Sequence, residues 1–308
     1  LRLVETADVF VHNVRARKIE ALGLGPEAVR ARNPAVIYGA MLGFGEDGPY
    51  AGRPAYDDVI QGMAGVAGAA LARDGRPELA PTIVADKTAA LAGASSLLAA
   101  YVRRLRTGRG AQVDVPMFET VAAWTLVEHH HGDWFRPSEG GAGYPRALSA
   151  HRRPHATSDG FVCILPYTDA QWARFWDILG RPELSCDPRF ATQRARGDNI
   201  DALYGLVSPL MASRRTSDWL EAFESAEIPC GPITPLDALS ADPQVVAAGL
   251  VREIEHPTEG PMSALHAPGR LDGKALPLRR PPPRLGEHTE EVLAEAGLSA
   301  AEIATFAP

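Results

Sequence analysis

The sequence predicts an α/β fold, a parallel sheet covered by helices and followed by a smaller α+β unit. Three observations predict it. Residues 8–42 read strand, helix, strand, the βαβ order that requires a parallel pair. A long Ala/Leu-rich helical stretch opening at Asp86 then leads into another β-branched run at Ala111 to Val115. Finally, composition shifts to Gly, Pro, Ser and Arg with little periodicity over residues 136–154, where a linker is expected.

The elements follow in order. Asp8-Val-Phe-Val-His-Asn-Val14 is a short strand, and the stretch to Arg32 has helical spacing broken by Gly23 and Gly25. Asn33-Pro34 ends it, and Val36 to Leu42 is a second, buried strand running into the loop Gly43 to Tyr50. A helix from about Tyr56 to Ala70 precedes the polar turn Asp74-Gly75. The long helix after Asp86 ends near Arg106, where Thr107-Gly108-Arg109-Gly110 supplies the stop. Met117 to His130 forms one more helix. Beyond the linker, a strand at Phe161–Leu165 leads to helices near 170–179, 201–212 and 217–226. The domains are thus expected at 1–135 (large), 156–250 (small) and 251–308 (a Pro-rich segment returning to the large domain), with the linker at 136–155.

With 308 residues, 45% of them hydrophobic and 22% charged, the chain can bury a substantial core. Twenty-nine glycines and 26 prolines without a repeating period exclude collagen and call for many punctuated connections. A formal charge of −7 without a long basic run disfavours a nucleic-acid partner. The longest weakly polar run, Ala89 to Val102, is too short to span a bilayer and contains two serines, so no membrane association is expected. Cys163, Cys186 and Cys230 are odd in number and lie in no paired motif, which points to a reducing compartment and hence the cytoplasm.

Four features are weighed for chemistry. His129, His130 and His131 are consecutive, so their side chains diverge around a helix and cannot converge on one metal. Cys230 has no histidine placed locally to activate it and reads as a buried, inert thiol. Gly43-Phe-Gly-Glu-Asp-Gly48 matches a dinucleotide-binding glycine pattern literally, but two acidic residues sit inside it and Pro49 follows, so a tight loop is the better reading. Asp86 stands where the long helix begins. It is either an N-cap whose carboxylate accepts the first amide hydrogens, or a nucleophile kept ionised by the helix dipole beside amides able to hold an oxyanion. Tyr56 starts the preceding helix within reach of it, and these patterns alone leave the choice open.

A series of short motifs extends along the chain: Asp8 to Arg15, Leu22-Gly-Leu-Gly25, Gly48-Pro-Tyr50, Arg53-Pro-Ala-Tyr-Asp57, Ala85-Asp86, Arg106-Thr-Gly-Arg-Gly110, Ile228-Pro-Cys-Gly-Pro232 and Pro281 to His288. In this order they resemble the family III CoA-transferases, the group of formyl-CoA and carnitine CoA-transferases. The resemblance implies a Rossmann-like large domain and an interlocked homodimer. It implies that Asp86 forms a mixed anhydride with the acyl group and then an aspartyl-CoA thioester. It implies that Asn13, Val14, Arg15, Arg53 and Tyr56 line the site of coenzyme A, which serves as acyl-CoA co-substrate to a small carboxylate, with no metal or redox cofactor. Read from residues alone, Asn13 is a strand-end turn former, and Arg15 and Arg53 are solvated charges.

Departures from the family pattern accompany the likeness. The usual Asn-Phe-Arg-Pro-Gly stretch reads Asn13-Val-Arg-Ala-Arg17, and the shielding glycine loop has only a loose counterpart at Gly140 to Gly143. The family's first β-α units have no counterpart ahead of the strand at Val9, so an incomplete large domain is expected. Two alternatives are carried. α-Methylacyl-CoA racemases share the fold but use a His/Asp pair, and Tyr56 occupies the histidine's place, where a phenol is a poor base at neutral pH. The other is a catalytically idle CoA-binding or dimerising fragment.

Overall fold

The structure is a computed structural model that describes residues 1–306. The chain divides into two compact units, residues 1–160 with 164–230, and residues 161–163 with 231 onward.

The first unit opens with the strand β1 (Val9–His12), the short helices α1 (Ala16–Ala21) and α2 (Pro26–Arg32), and the strand β2 (Ile37–Leu42). Gly23, at φ 70°, breaks what would otherwise be one helix. The next helices are α3 (Asp57–Met63) and α4 (Val66–Asp74), separated by Gly65 at φ 91°, so the single helix expected over 56–70 is two. A glycine in the left-handed region interrupts the helical hydrogen bonds, a break the apolar spacing does not register. The long helix α5 (Val84–Thr107), strand β3 (Ala111–Pro116) and helix α6 (Met117–His129) complete this half.

The three strands form a parallel sheet in the order β1-β2-β3, with Val9 opposite Ile37 and Ile37 opposite Ala111. The central strand β2 is buried at nearly every position, as a strand flanked on both edges and covered by helices must be. Helix α5 crosses this sheet at close range. A Cβ at Gly39 would come within 2.8 Å of Leu97 Cδ2, and one at Gly93 within 2.8 Å of Met41 Sδ. The pairing of 39 with 97 and 41 with 93 means that α5 runs antiparallel to the strands. Its amino end therefore lies beyond the strands' carboxyl ends, the edge where open α/β sheets place their ligands.

Further elements of this unit are α7 (Pro145–Leu148), β4 (His155–Ala156), α8 (Asp169–Ile178), α9 (Gln193–Asp198), α10 (Ile200–Met211) and α11 (Thr216–Ser225). Trp172, Phe175 and Trp176 of α8 meet Trp219 and Phe223 of α11 in one buried aromatic cluster. The second unit contains an antiparallel hairpin, Val251–His256 paired with Gly260–Leu265, inside the stretch expected as a Pro-rich segment. His256 anchors it. Its Nδ1 accepts from the amides of Thr258 and Glu259, and its Nε2 therefore donates to the Pro282 carbonyl at 2.8 Å. Among the described residues no helix is long and apolar enough to cross a membrane.

Candidate active site

All six residues singled out by sequence sit on segments leaving the carboxyl edge of the sheet. Asn13, Val14 and Arg15 follow β1 directly, Arg53 and Tyr56 end the loop after β2, and Asp86 stands in the first turn of α5. The amide of Val14 donates to His12 Nδ1 at 3.2 Å, and the Arg15 carbonyl accepts from Lys18 and Ile19, opening α1. Asn13 and Arg15 are exposed, and among the described residues neither makes a hydrogen bond with Asp86 or Tyr56. The Arg53 guanidinium lies 4.7 Å from the centre of the Tyr50 ring, which packs edge-on against Phe44 and Phe118. Tyr56 is the N-cap residue of α3 and is 82% exposed.

Asp86 is not the N-cap of its helix. Ile83 holds that position and offers no side-chain oxygen, while Asp86 is the third residue inside. The capping carboxylate comes from Asp57, whose Oδ1 accepts from the amides of Ala85 at 2.8 Å and Asp86 at 3.0 Å. The remaining first-turn amides are also engaged, Val84 with the Thr82 carbonyl and Lys87 with the Ile83 carbonyl. Among the described residues the amides of the first turn after Ile83 are thus all taken, which leaves fewer donors for an oxyanion than a bare helix terminus would offer. Asp57 is buried and shares its other oxygen with Gln61 Nε2. Gln61, 1% exposed, also donates to the Thr82 carbonyl and accepts from the Ala80 amide, so it fastens the approach to α5 onto α3.

The carboxylate of Asp86 is exposed and accepts no hydrogen bond among the described residues. Partial desolvation, with the negative charge of Asp57 second, raises its pKa above the ordinary value. The amides that would hold this carboxylate at the helix end are instead engaged by Asp57. A local hydrophobic cluster holds this frame: Phe44, Ile60, Ala64, Ala85, Met117 and Val121 pack together beneath it.

Sequence reasoning missed Asp57 and Gln61. The available signal was a long helix whose N-cap position, Ile83, cannot cap, together with Asp57 at the first position of the helix before it. The glycine loop after β2 is likewise resolved. Glu119 Oε1 accepts from the Gly45 amide at 2.9 Å, so a carboxylate stands where a bound phosphate would have to be. The three histidines diverge: His129 Nδ1 accepts from the Tyr144 amide, His130 meets the Trp134 ring, and His131 stacks on Tyr144. Cys230 is half-buried and its thiol pKa is raised by burial, with Glu224 second, which keeps it protonated.

Comparison with known proteins extends this geometry. The sequence profile of CoA-transferase family III matches residues 1–289. The chain is 32% identical over 298 residues to the succinate–glutarate CoA-transferase of Agrobacterium fabrum, covering 96% of this chain and 74% of that one. It is 29% identical to the human succinyl-CoA:glutarate CoA-transferase, covering 95% of this chain and 67% of the relative. A crystal structure of a CAIB/BAIF family protein from Brucella suis superposes with a TM-score of 0.75 at 31% identity, covering 96% of this chain and 77% of that one.

Proposed function

Because the chain belongs to CoA-transferase family III, we propose that it moves CoA from an acyl-CoA to a carboxylic acid by a ping-pong route through Asp86. One observation carries this reading: Asp86 presents an exposed carboxylate, without a hydrogen-bond partner among the described residues, beyond the carboxyl edge of the sheet and on a helix end secured by another aspartate. Such a carboxylate is free to attack, and its raised pKa makes the ionised form more nucleophilic.

The steps balance without a net proton. Asp86 attacks the thioester carbonyl, the C–S bond breaks and CoA leaves as thiolate, which gives a mixed anhydride. The thiolate then attacks the aspartyl carbonyl, releasing the first carboxylate and forming aspartyl-CoA. The acceptor carboxylate attacks that thioester, and the returning thiolate takes the acyl group, restoring Asp86. Covalent catalysis divides one hard exchange into four easier ones and retains the thioester energy on the enzyme. In this reading the Asn13-Val14-Arg15 turn, Arg53 and Tyr56 contact CoA, supported by their shared edge. Small dicarboxylates are the acceptors to test first, given the relatives' names.

The assembly we propose is a homodimer. Leu91, Leu98 and Leu105 recur every seven residues on α5 and are each more than 60% exposed, an apolar stripe that a second copy would cover. Free cysteines at 163, 186 and 230 support the cytoplasm as its compartment.

Incubation with acyl-CoA and no acceptor should leave an adduct on Asp86 that hydroxylamine removes. Asp86→Asn should abolish the adduct and lower turnover more than about a thousandfold. Rapid uptake of solvent deuterium into a 2-methylacyl-CoA with no trappable adduct would overturn the proposal in favour of proton transfer.

A further inference from the structure

Away from Asp86, the first unit contains a cavity of about 1120 Å³ between the 131–149 segment and the residues around α8, α9 and α10. Its charges are unevenly satisfied. Arg196 is 4% exposed, paired with Asp169 and donating to the Phe190 carbonyl at 2.8 Å. Arg194 is exposed and faces Asp198, and Asp201 accepts from Ser149 Oγ at 2.7 Å. Arg146 differs from all of these. It is half-buried on α7, its Nε donates to the Tyr204 hydroxyl at 3.0 Å, and its guanidinium lies 5.8 Å from the centre of the Tyr167 ring. Among the described residues no carboxylate lies within ion-pair distance of it.

A half-buried guanidinium held by phenols and an aromatic face is fixed in place and keeps its charge uncompensated. His131 also lines the cavity, at φ 42°, a strained conformation for a residue other than glycine, but its Nδ1 is buried away from the open space and has no hydrogen-bond partner among the described residues. The remaining wall is apolar and flat, from Tyr167, Trp172 and Leu148.

We propose that this cavity binds a small organic monocarboxylate, its oxygens on the Arg146 guanidinium and its apolar body against Tyr167 and Trp172. Arg194 and Arg196 already face Asp198 and Asp169, so Arg146 is the lining arginine without a carboxylate partner among the described residues, and Asp201, held only by Ser149, limits the ligand to a single negative charge. An aromatic wall favours a hydrocarbon body over a bare inorganic oxyanion. The inference rests on these residues and not on the role of Asp86.

The test uses benzoate as the probe, without CoA, in equilibrium dialysis or ligand-detected NMR. Benzoate should bind, while its neutral isostere benzamide and inorganic phosphate should bind at least about tenfold more weakly, the scale of one charge-assisted hydrogen bond. Arg146→Gln should weaken benzoate by about tenfold or more and Arg146→Lys by less, because a lysine keeps the charge but not the planar fork. Photolysis of 4-azidobenzoate on the unaltered protein is independent of how the variants fold. It should label peptides containing residues 144–149, 166–172 or 199–204. Absent benzoate binding, equal binding of benzamide or phosphate, or labelling confined to other peptides would overturn the proposal. Because no acyl-CoA is present, none of these outcomes depends on whether Asp86 forms an adduct.

Discussion

Two helices of this molecule begin beneath an aspartate supplied from far along the chain, and the two aspartates have different company. At the start of α11, Asp159 Oδ1 accepts from the Thr216 amide at 2.8 Å and from its hydroxyl, while Oδ2 pairs with Arg215 at 3.0 Å. At the start of α5, Asp57 does the same for two amides, but its second oxygen meets the neutral Gln61, and another carboxylate, Asp86, stands beside it. The first arrangement is electrostatically closed. Hydrogen bonds from Thr216 and Arg215 bring the Asp159 pKa down to about 2. The second is open, and the nearest carboxylate is shifted upward instead. A remote cap alone is therefore structural, and what marks α5 is the unpaired carboxylate left next to one.

Removing the caps sharpens the comparison. Asp57→Ala should have the largest effect on stability. It deprives two amides and the buried Gln61 of their partner, a loss of about 2–4 kcal/mol. It should also lower transferase activity, because the first turn carrying Asp86 is no longer held. Asp57→Asn is the finer probe. It retains an acceptor for the amides but removes the negative charge that helps raise Asp86. The acid limb of the kcat/KM profile should then move to lower pH relative to the unaltered enzyme. A limb that stays in place would separate Asp57 from the electrostatics of Asp86 and reduce it to a cap.

Asp159→Asn tests the closed arrangement, with a smaller effect and no expected change in turnover. The carboxylate has a folded pKa of about 2, below its ordinary value of 3.8. Its contribution is present above the unfolded pKa and is lost as pH falls through the folded one. Melting temperatures of the two proteins should therefore differ above about pH 4 and converge as pH approaches 2. A difference that persists unchanged down to pH 2 would mean that the substitution acts through geometry and not through charge.

The contrast also explains what the sequence could convey. The strands at 9–12, 37–42 and 111–116 and the helices at 169–178, 200–211 and 216–225 were legible because alternation and helical spacing are local. Asp86 was legible as the start of a helix, although its position within the first turn was not. The Asp57 cap spans 28 residues to Ala85, and no periodicity reports a hydrogen bond of that range. Gly65 was visible as a residue but not as a break, since only its φ of 91° separates α3 from α4. The hairpin at 251–265 escaped notice because its alternating positions hold small or polar residues such as Gly260, Ser263 and Ala264, with Pro261 inside a strand. Arg146 was unremarkable within a linker, and its significance comes from Tyr204, 58 residues away.

The smallest effect is also the most direct discriminator between the two helix starts, because it has the opposite sign. The Asp86 pKa is raised in the folded protein by desolvation and by Asp57, so between its unfolded and folded values the native state binds more protons than the unfolded chain. Stability consequently falls as pH rises through that window and stays lower above it. Asp86→Asn removes this charge without taking a partner from any amide, since its backbone bond to Asp57 is unaffected. The variant should match the unaltered protein well below pH 3.8, the ordinary carboxyl value, and exceed it slightly above the folded pKa. Thermal melts across that range would therefore show Asp86→Asn gaining stability with rising pH while Asp159→Asn loses it. If Asp86→Asn instead became less stable at neutral pH, the carboxylate would have a structural partner, and its assignment as a free nucleophile would fail even before turnover was measured. A gain in stability paired with lost turnover is the signature expected of a group retained for chemistry at a cost to the fold.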